Sequence, residues 1–157
     1  MVDNRPLVSI GMPVFNGERF ICSALDSLLA QDYDNFELII SDNASTDGTS
    51  KICRRYQAKD KRIRYYHNET NFGAPKNFKR VLELSKGKYF MWAGDHDLWH
   101  KSFISRCVSI LENKSDVVLV CPMVMKIDFN GNPMGIEYNN SDTQNMTVTC
   151  RYKHIIL

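Results

Sequence analysis

The chain has 157 residues, 43% of them hydrophobic and 24% charged, a balance that suits one globular domain with a real core. Its 20 basic and 18 acidic residues leave a net charge of +2, too even for nucleic acid or an anionic membrane to be the main partner. Five scattered cysteines without a CxxC pair read as reduced thiols, mostly buried. The polar start and the lack of a bilayer-length apolar run imply a cytoplasmic protein with no transmembrane segment, and leave peripheral contact with the inner membrane face open.

In chain order, the apolar run 7–12, stopped by Pro13, predicts a buried strand. Asn16 is placed to cap a helix whose apolar face is Phe20, Ile21, Ala24, Leu25, Leu28 and Leu29, ending near Gln31. Residues 36–41 predict a second strand. The turn 43–48 follows, with Ser45, Thr46 or Asp47 as cap of a helix carrying Ile52, Cys53 and Tyr56. A third strand is expected at 63–66, and a loop at 71–75 leads into a helix with Pro75 near its start. A fourth strand is expected at 89–93. Phe103, Ile104, Cys107, Val108 and Leu111 mark a fourth helix, and 117–121 reads as a further apolar strand. Asn130-Gly131 suggests a tight turn inside a hairpin from 123 to 138. Residues 139–145 read as a polar loop, and Val148, Tyr152, Ile155 and Ile156 hint at a last helix.

Strand and helix alternate four times. The expected fold is therefore α/β, a three-layer α/β/α sandwich around a mostly parallel, Rossmann-like sheet with right-handed crossovers. The chain reads as a single domain over 1–157. Ligands of such sheets lie at the carboxyl ends of the strands. The expected exits are 13–16, 42–47, 68–75 and 95–97, and nearly all unusual polar residues fall there.

Asp95-His96-Asp97 carries the strongest signal. Two carboxylates one residue apart at a strand end can hold a hard divalent cation that also takes phosphate oxygens, or simply make an acidic turn before a helix. Asp42, just past Leu38-Ile39-Ile40-Ser41, can accept a ring N–H of a nucleobase or can shape its turn. Phe15 can stack on a base or pack in the core. Glu18 can meet a sugar nucleotide or a helix dipole. In Asn71-Phe72-Gly73-Ala74-Pro75-Lys76, backbone N–H groups and Lys76 can meet an anion, or the segment can be a plain helix start. No G-x-G-x-x-G follows the first strand, which argues against a dehydrogenase. Met12-Pro13-Val14-Phe15-Asn16-Gly17 also lacks the glycine-rich basic loop of nucleotidyltransferases.

The ordered set Pro13-Val14-Phe15-Asn16, Asp42-Asn43-Ala44-Ser45-Thr46-Asp47-Gly48-Thr49, Asn71-Phe72-Gly73 and Gly94-Asp95-His96-Asp97-Leu98-Trp99 resembles the family 2 glycosyltransferases of the GT-A fold, over residues 8–136. The resemblance implies inverting transfer of a sugar from a nucleoside-diphosphate donor (UDP first, GDP or dTDP as alternatives) to a saccharide or lipid-linked acceptor, in polysaccharide or glycoconjugate synthesis. It implies donor contacts from Pro13, Phe15, Glu18, Asp42, Asn71, Gly73, Lys76 and Asp95, and Mn²⁺ or Mg²⁺ held by Asp97 with Asp95. Family members often carry another residue where His96 stands. No general base is assigned: Glu137 and Asp142, the acidic residues after Asp128, match no motif. The acceptor-binding part is expected to be largely absent. The chain is then a fragment truncated near its C-terminus, or a non-catalytic nucleotide-sugar-binding module.

Overall fold

A computed structural model describes residues 5–137. The elements in order are β1 (Val8–Val14), α1 (Ile21–Leu29), β2 (Phe36–Asp42), α2 (Thr49–Gln57), β3 (Ile63–His67), α3 (Ala74–Glu83), β4 (Tyr89–Trp92), α4 (Phe103–Asn113), β5 (Val124–Ile127) and β6 (Pro133–Glu137). The chain forms two compact units, one up to Val118 and one from Leu119.

The first unit is built on a four-stranded sheet of order β3-β2-β1-β4. Every pairing in it is parallel, as the strand–helix alternation predicts. Alternation along the strands sorts side chains to two faces. Ile10, Met12, Leu38, Ile40 and Ile63 join Ile21, Ala24, Leu25 and Leu28 of α1, Cys53 of α2, and Ile104 and Val108 of α4 in one buried cluster. The alternate positions meet α3. Gly11 lies so close beneath that helix that an added Cβ would sit 2.7 Å from both Val81 Cγ2 and Phe90 Cζ. Helices therefore cover both faces, giving the three-layer α/β/α fold. All seven residues of β2 are buried, as expected of a parallel strand with neighbours on both sides.

The alternate face also carries polar pins near the amino end of the sheet. Ser9 Oγ donates to Glu37 Oε1 at 2.7 Å, and Arg64 Nη1 pairs with Glu37 Oε2 at 2.6 Å. The backbone N–H of Gly87 donates to Ser9 Oγ at 2.8 Å, securing the entry to β4.

Four local expectations are revised. Pro13 does not end β1, which runs on to Val14. The β4 pairing covers only Val8 to Gly11 of β1, so Pro13 sits where one side of the strand is open and its missing N–H breaks no ladder on that side. Asn16 does not cap α1, whose N-cap is Phe20. It takes a left-handed φ of 55° and turns its side chain to the neighbouring loop. Residues 117–121 form no strand: Val118 is 82% exposed, whereas a continuous apolar strand needs cover on both faces. The β5–β6 hairpin is present, but its turn is not the two-residue type. Among its residues Gly131 alone has a left-handed φ, at 84°, and Asp128 Oδ1 accepts the N–H groups of Asn130 and Asn132, each at 2.8 Å. The polar loop 139–145, the last expected helix and Cys150 lie outside the described residues. Of the described cysteines, Cys53 is the buried one, fewer than composition suggested.

Candidate functional site

Parallel strands send all their carboxyl ends one way, and the register makes three of them level: Val14 lies opposite Asp42, and Asp42 opposite His67. The loops that leave these strands are tied together. Asn16 N–H donates to Ser45 Oγ at 2.9 Å, and Thr46 N–H donates to Asn16 Oδ1 at 2.8 Å. Gly17 N–H donates to Thr49 Oγ1 at 2.9 Å. Glu18 Oε2 accepts the N–H of Gly48, the α2 N-cap, at 2.8 Å, so its carboxylate meets an otherwise unpaired helix-start donor. Asp47 accepts from Thr49 N–H at 3.0 Å and from Glu18 N–H at 3.1 Å.

The exits of β2 and β3 share a polar network. Ser41 Oγ donates to Asn77 Oδ1 at 2.6 Å, and Asn77 Nδ2 donates to Ser41 O at 2.8 Å. Asn68 Nδ2 reaches Asn77 Oδ1 at 3.2 Å. Asn43 Nδ2 donates to Asn71 Oδ1 at 2.8 Å, and Phe72 N–H donates back to Asn43 Oδ1 at 3.2 Å. This network fixes the loop of Asn71 and Gly73 against the end of β2.

Asp42 is 0% exposed. Its Oδ1 accepts Ser45 N–H at 2.8 Å. Its Oδ2 accepts the Tyr65 hydroxyl at 2.7 Å and lies 3.2 Å from His67 Nδ1. Burial pushes its pKa up, yet the bonds from Ser45, Tyr65 and His67 outweigh that and hold it below the usual carboxylate range. Tyr65 and His67 thus both meet Oδ2 of Asp42, the carboxylate for which the sequence suggested contact with a base.

The exit of β4 joins from the other side. Asp95 rests its carboxylate against the Cα of Gly17, where a Cβ would collide with it. Asp95 Oδ1 is 2.9 Å from His96 Nδ1. That bond raises the His96 pKa, burial opposes it, and the charges of Asp95 and Asp97 add to the rise. Asp97 folds back over Gly94, where a Cβ would lie 2.5 Å from its Oδ2. Linked contacts therefore run from Asp95 through Gly17 and Thr49 to the β2 exit, and on through Asp42 to His67.

The other candidate residues are placed as follows. Pro13 is half-buried at the end of β1, and Phe15 is 48% exposed. Asn71 and Lys76 are exposed, and Gly73 is the α3 N-cap with a left-handed φ of 86°. Among the described residues no group of three or more His, Cys, Asp and Glu side chains could by itself hold a metal. Asp95 and Asp97 are nonetheless a hard oxygen donor pair. That set fits Mg²⁺ or Mn²⁺ completed by phosphate oxygens and water, not a cage made by protein alone.

Tyr65 and His67 were missed in the sequence. Both share the parity of Ile63 on β3, so they reach the same side as Asp42, but their meaning depends on the strand pairing.

A doubly covered parallel sheet with its strand exits joined along one edge defines the α/β class that binds ligands at the carboxyl ends of its strands. Residues 9–155 match the family described as Glycosyl transferase family 2, and the chain belongs to that family. An uncharacterized glycosyltransferase of Rickettsia typhi is 36% identical over 118 residues, covering 74% of this chain and 36% of that protein. TuaG of Bacillus subtilis, provisionally named a teichuronic acid biosynthesis glycosyltransferase, is 32% identical over 115 residues, covering 73% of this chain and 46% of its own. Among solved structures, S. aureus TarS 1–349 in complex with UDP-GlcNAc matches with a TM-score of 0.64 and 28% identity, over 68% of this chain and 31% of TarS 1–349. The mannosyltransferase PcManGT of Pyrobaculum calidifontis, in complex with GDP-Man and Mn²⁺, shares the fold with a TM-score of 0.64 at 24% identity, over 69% of this chain and 33% of its own. The chain thus spans about a third to a half of the length of these relatives.

Proposed function

We propose that this chain carries the donor-binding part of an inverting, metal-dependent glycosyltransferase of polysaccharide or glycoconjugate biosynthesis. The observation that carries this reading is the joining of four strand exits into one edge, with a buried carboxylate at the β2 exit and a carboxylate pair at the β4 exit. The name of TuaG supports polysaccharide synthesis, and the TarS complex supports a uridine diphosphate sugar as donor.

In this reading Pro13 and Phe15 border the nucleobase, and Asp42 anchors its subsite. Asn71, Gly73 and Lys76, at the start of α3, face the diphosphate. Asp95 meets the ribose or the metal shell, and Asp97 is the metal ligand. Glu18 shapes the wall by holding the start of α2. A bound Mg²⁺ or Mn²⁺ would offset negative charge on the departing diphosphate. The acceptor hydroxyl attacks the anomeric carbon from the face opposite that diphosphate, which inverts the centre, and a base must take its proton. Because none of the described residues is assigned as that base, a binding module without transfer is the second reading.

Thermal melting with UDP, GDP and dTDP, each with and without Mn²⁺, tests both. Binding to the folded state must raise the melting temperature. A metal-dependent rise is expected with at least one nucleotide, and Asp97→Ala is expected to abolish it. No rise with any nucleotide would reject both readings. Sugar transfer from the matching donor then separates enzyme from module.

A further inference from the structure

We infer that Gln31 is a positioning residue for the Asp95 and Asp97 carboxylates, acting through a clamp by which the end of α1 holds residues 99–104. The inference rests on the donor-binding reading above and extends it to a residue that touches no ligand. Gln31 lies just past α1 and is only 5% exposed. Its Nε2 donates to His100 O at 2.9 Å and to Ser27 O at 3.2 Å. Its Oε1 accepts the N–H of Ile104 at 3.0 Å. Ile104 stands in the first turn of α4, where an N–H has no partner within the helix. Ser102, the N-cap of α4, makes no side-chain cap bond, so a residue remote in sequence supplies this acceptor. Two more bonds join the same surfaces. Trp99 N–H donates to Ser27 Oγ at 3.1 Å, and Asp32 N–H donates to Lys101 O at 2.9 Å.

The clamp matters to the carboxylates because of what lies between its pins. Ala93 is buried, and its N–H donates to Gly11 O at 2.9 Å. Trp99 is the next pinned residue, and its ring packs 4.9 Å from that of Phe103. Gly94 to Leu98, with both aspartates, span the gap. Helix α1 therefore meets this turn twice. The chain entering it offers Gly17 as the seat of Asp95, and the chain leaving it holds the segment beyond Asp97. Among the described residues no third His, Cys, Asp or Glu joins the two carboxylates at a metal. A two-carboxylate site completed by phosphate and water has no further protein ligand to fix its geometry, so the backbone on either side must do so. Gln31 ties down the carboxyl-terminal side through three buried bonds.

Mn²⁺ titration of the 157-residue chain tests this, with free Mn²⁺ followed by electron paramagnetic resonance. UDP, GDP and dTDP are each tried with wild type, and the one that best supports Mn²⁺ uptake is used for the variants. Gln31→Leu keeps the bulk but carries no donor or acceptor, and should weaken Mn²⁺ about tenfold. Ser27→Ala removes one pin and should weaken it about threefold. Ser27→Thr restores the hydroxyl and should recover most of that loss. Val108→Ala is the control: Val108 is buried in α4 and takes part in no clamp bond. It should lower the melting temperature and leave the Mn²⁺ dissociation constant unchanged. If Gln31→Leu binds Mn²⁺ as tightly as wild type, or Val108→Ala loses as much, the clamp merely stabilises the fold and the inference is wrong while donor binding stands. If Gln31→Leu gives no cooperative melting transition, Ser27→Ala against Ser27→Thr decides in its place: equal constants overturn the inference. If wild type takes up no Mn²⁺ with any of the three nucleotides, the donor-binding reading fails, and the role of Gln31 with it.

Discussion

Gly94 lets a carboxylate return to the backbone that carries it. A Cβ there would stand 2.5 Å from Asp97 Oδ2, but the φ of Gly94 lies outside the left-handed region, so the backbone itself tolerates alanine. The obstructed atom is the free end of a mobile side chain. Gly94→Ala should therefore change folding stability by no more than about 0.5 kcal/mol while turning Asp97 away. The expected result is a nearly normal melting temperature with the Mn²⁺-dependent nucleotide shift reduced; an undiminished shift would show that Asp97 needs no such seat. Position 17 follows the same logic toward Asp95, with Val14 Cγ2 also only 2.8 Å from the added atom. The carboxylates were readable as a motif in the sequence, because two aspartates at a strand exit imply an ion or a turn. Their glycine seats were not, since Gly17 and Asp95 are distant in sequence and meet only once the sheet brings their loops together.

At the scale of elements, α3 does two jobs through residues one turn apart. Val81 closes over Gly11 to pack the helix on the sheet, and Asn77 bonds Ser41 through both ends of its amide. Asn77 is buried, and Asn68 also leans on it. Asn77→Ala would take the acceptor from the buried Ser41 hydroxyl and the side-chain donor from the Ser41 carbonyl. The expected loss is about 1–3 kcal/mol, seen as a lower urea midpoint with an unchanged slope. The β3–α3 loop should loosen as well, raising amide exchange at Phe72 and Gly73. A stability within about 0.5 kcal/mol of wild type would mean water replaces the amide at no loss. Hydrophobic periodicity disclosed α3 and the other three helices, and also the four parallel strands, because burial of one helix face or of both sheet faces leaves a direct imprint. It misjudged 117–121, whose run of apolar residues looks like a buried strand but lacks cover on both faces, and the end of β1, where Pro13 is tolerated only because β4 has already stopped. Asn16 looked like a cap until its left-handed backbone sent the side chain to Thr46. Such outcomes depend on which neighbours arrive, and local sequence does not state that.

For the molecule as a whole, the two ends of the sheet divide the labour. The carboxyl end gathers the candidate ligand groups, and the amino end holds a charged pin in which Glu37, Arg64 and Ser9 secure β1, β2, β3 and the entry to β4. Burial drives the Glu37 pKa up, but bonds from Ser9, Arg64 and the Lys86 N–H overcome it and leave the group below the usual carboxylate range. Burial lowers the Arg64 pKa, and its bonds to Glu37 and Tyr66 reverse that, so both partners favour the ionised pair. A carboxylate whose pKa is depressed on folding contributes stability that is fully present above its unfolded value, near 4.3, and is lost as pH falls through the folded value. Asp42, with its own depressed pKa, adds to the same acid sensitivity. Glu37→Gln keeps the shape but removes the charge. It should lower stability by about 1–3 kcal/mol at pH 7, and the gap to wild type should close as pH falls from 5 to 3, measured by urea unfolding at each pH. Folded Glu37→Gln should still give the Mn²⁺-dependent nucleotide shift at pH 7, because the pin lies at the opposite end of the strands from the candidate site. A gap that stayed constant down to pH 3 would show that Glu37 acts through packing and not through charge. Loss of nucleotide response in the folded variant would show that the two ends of the sheet are coupled.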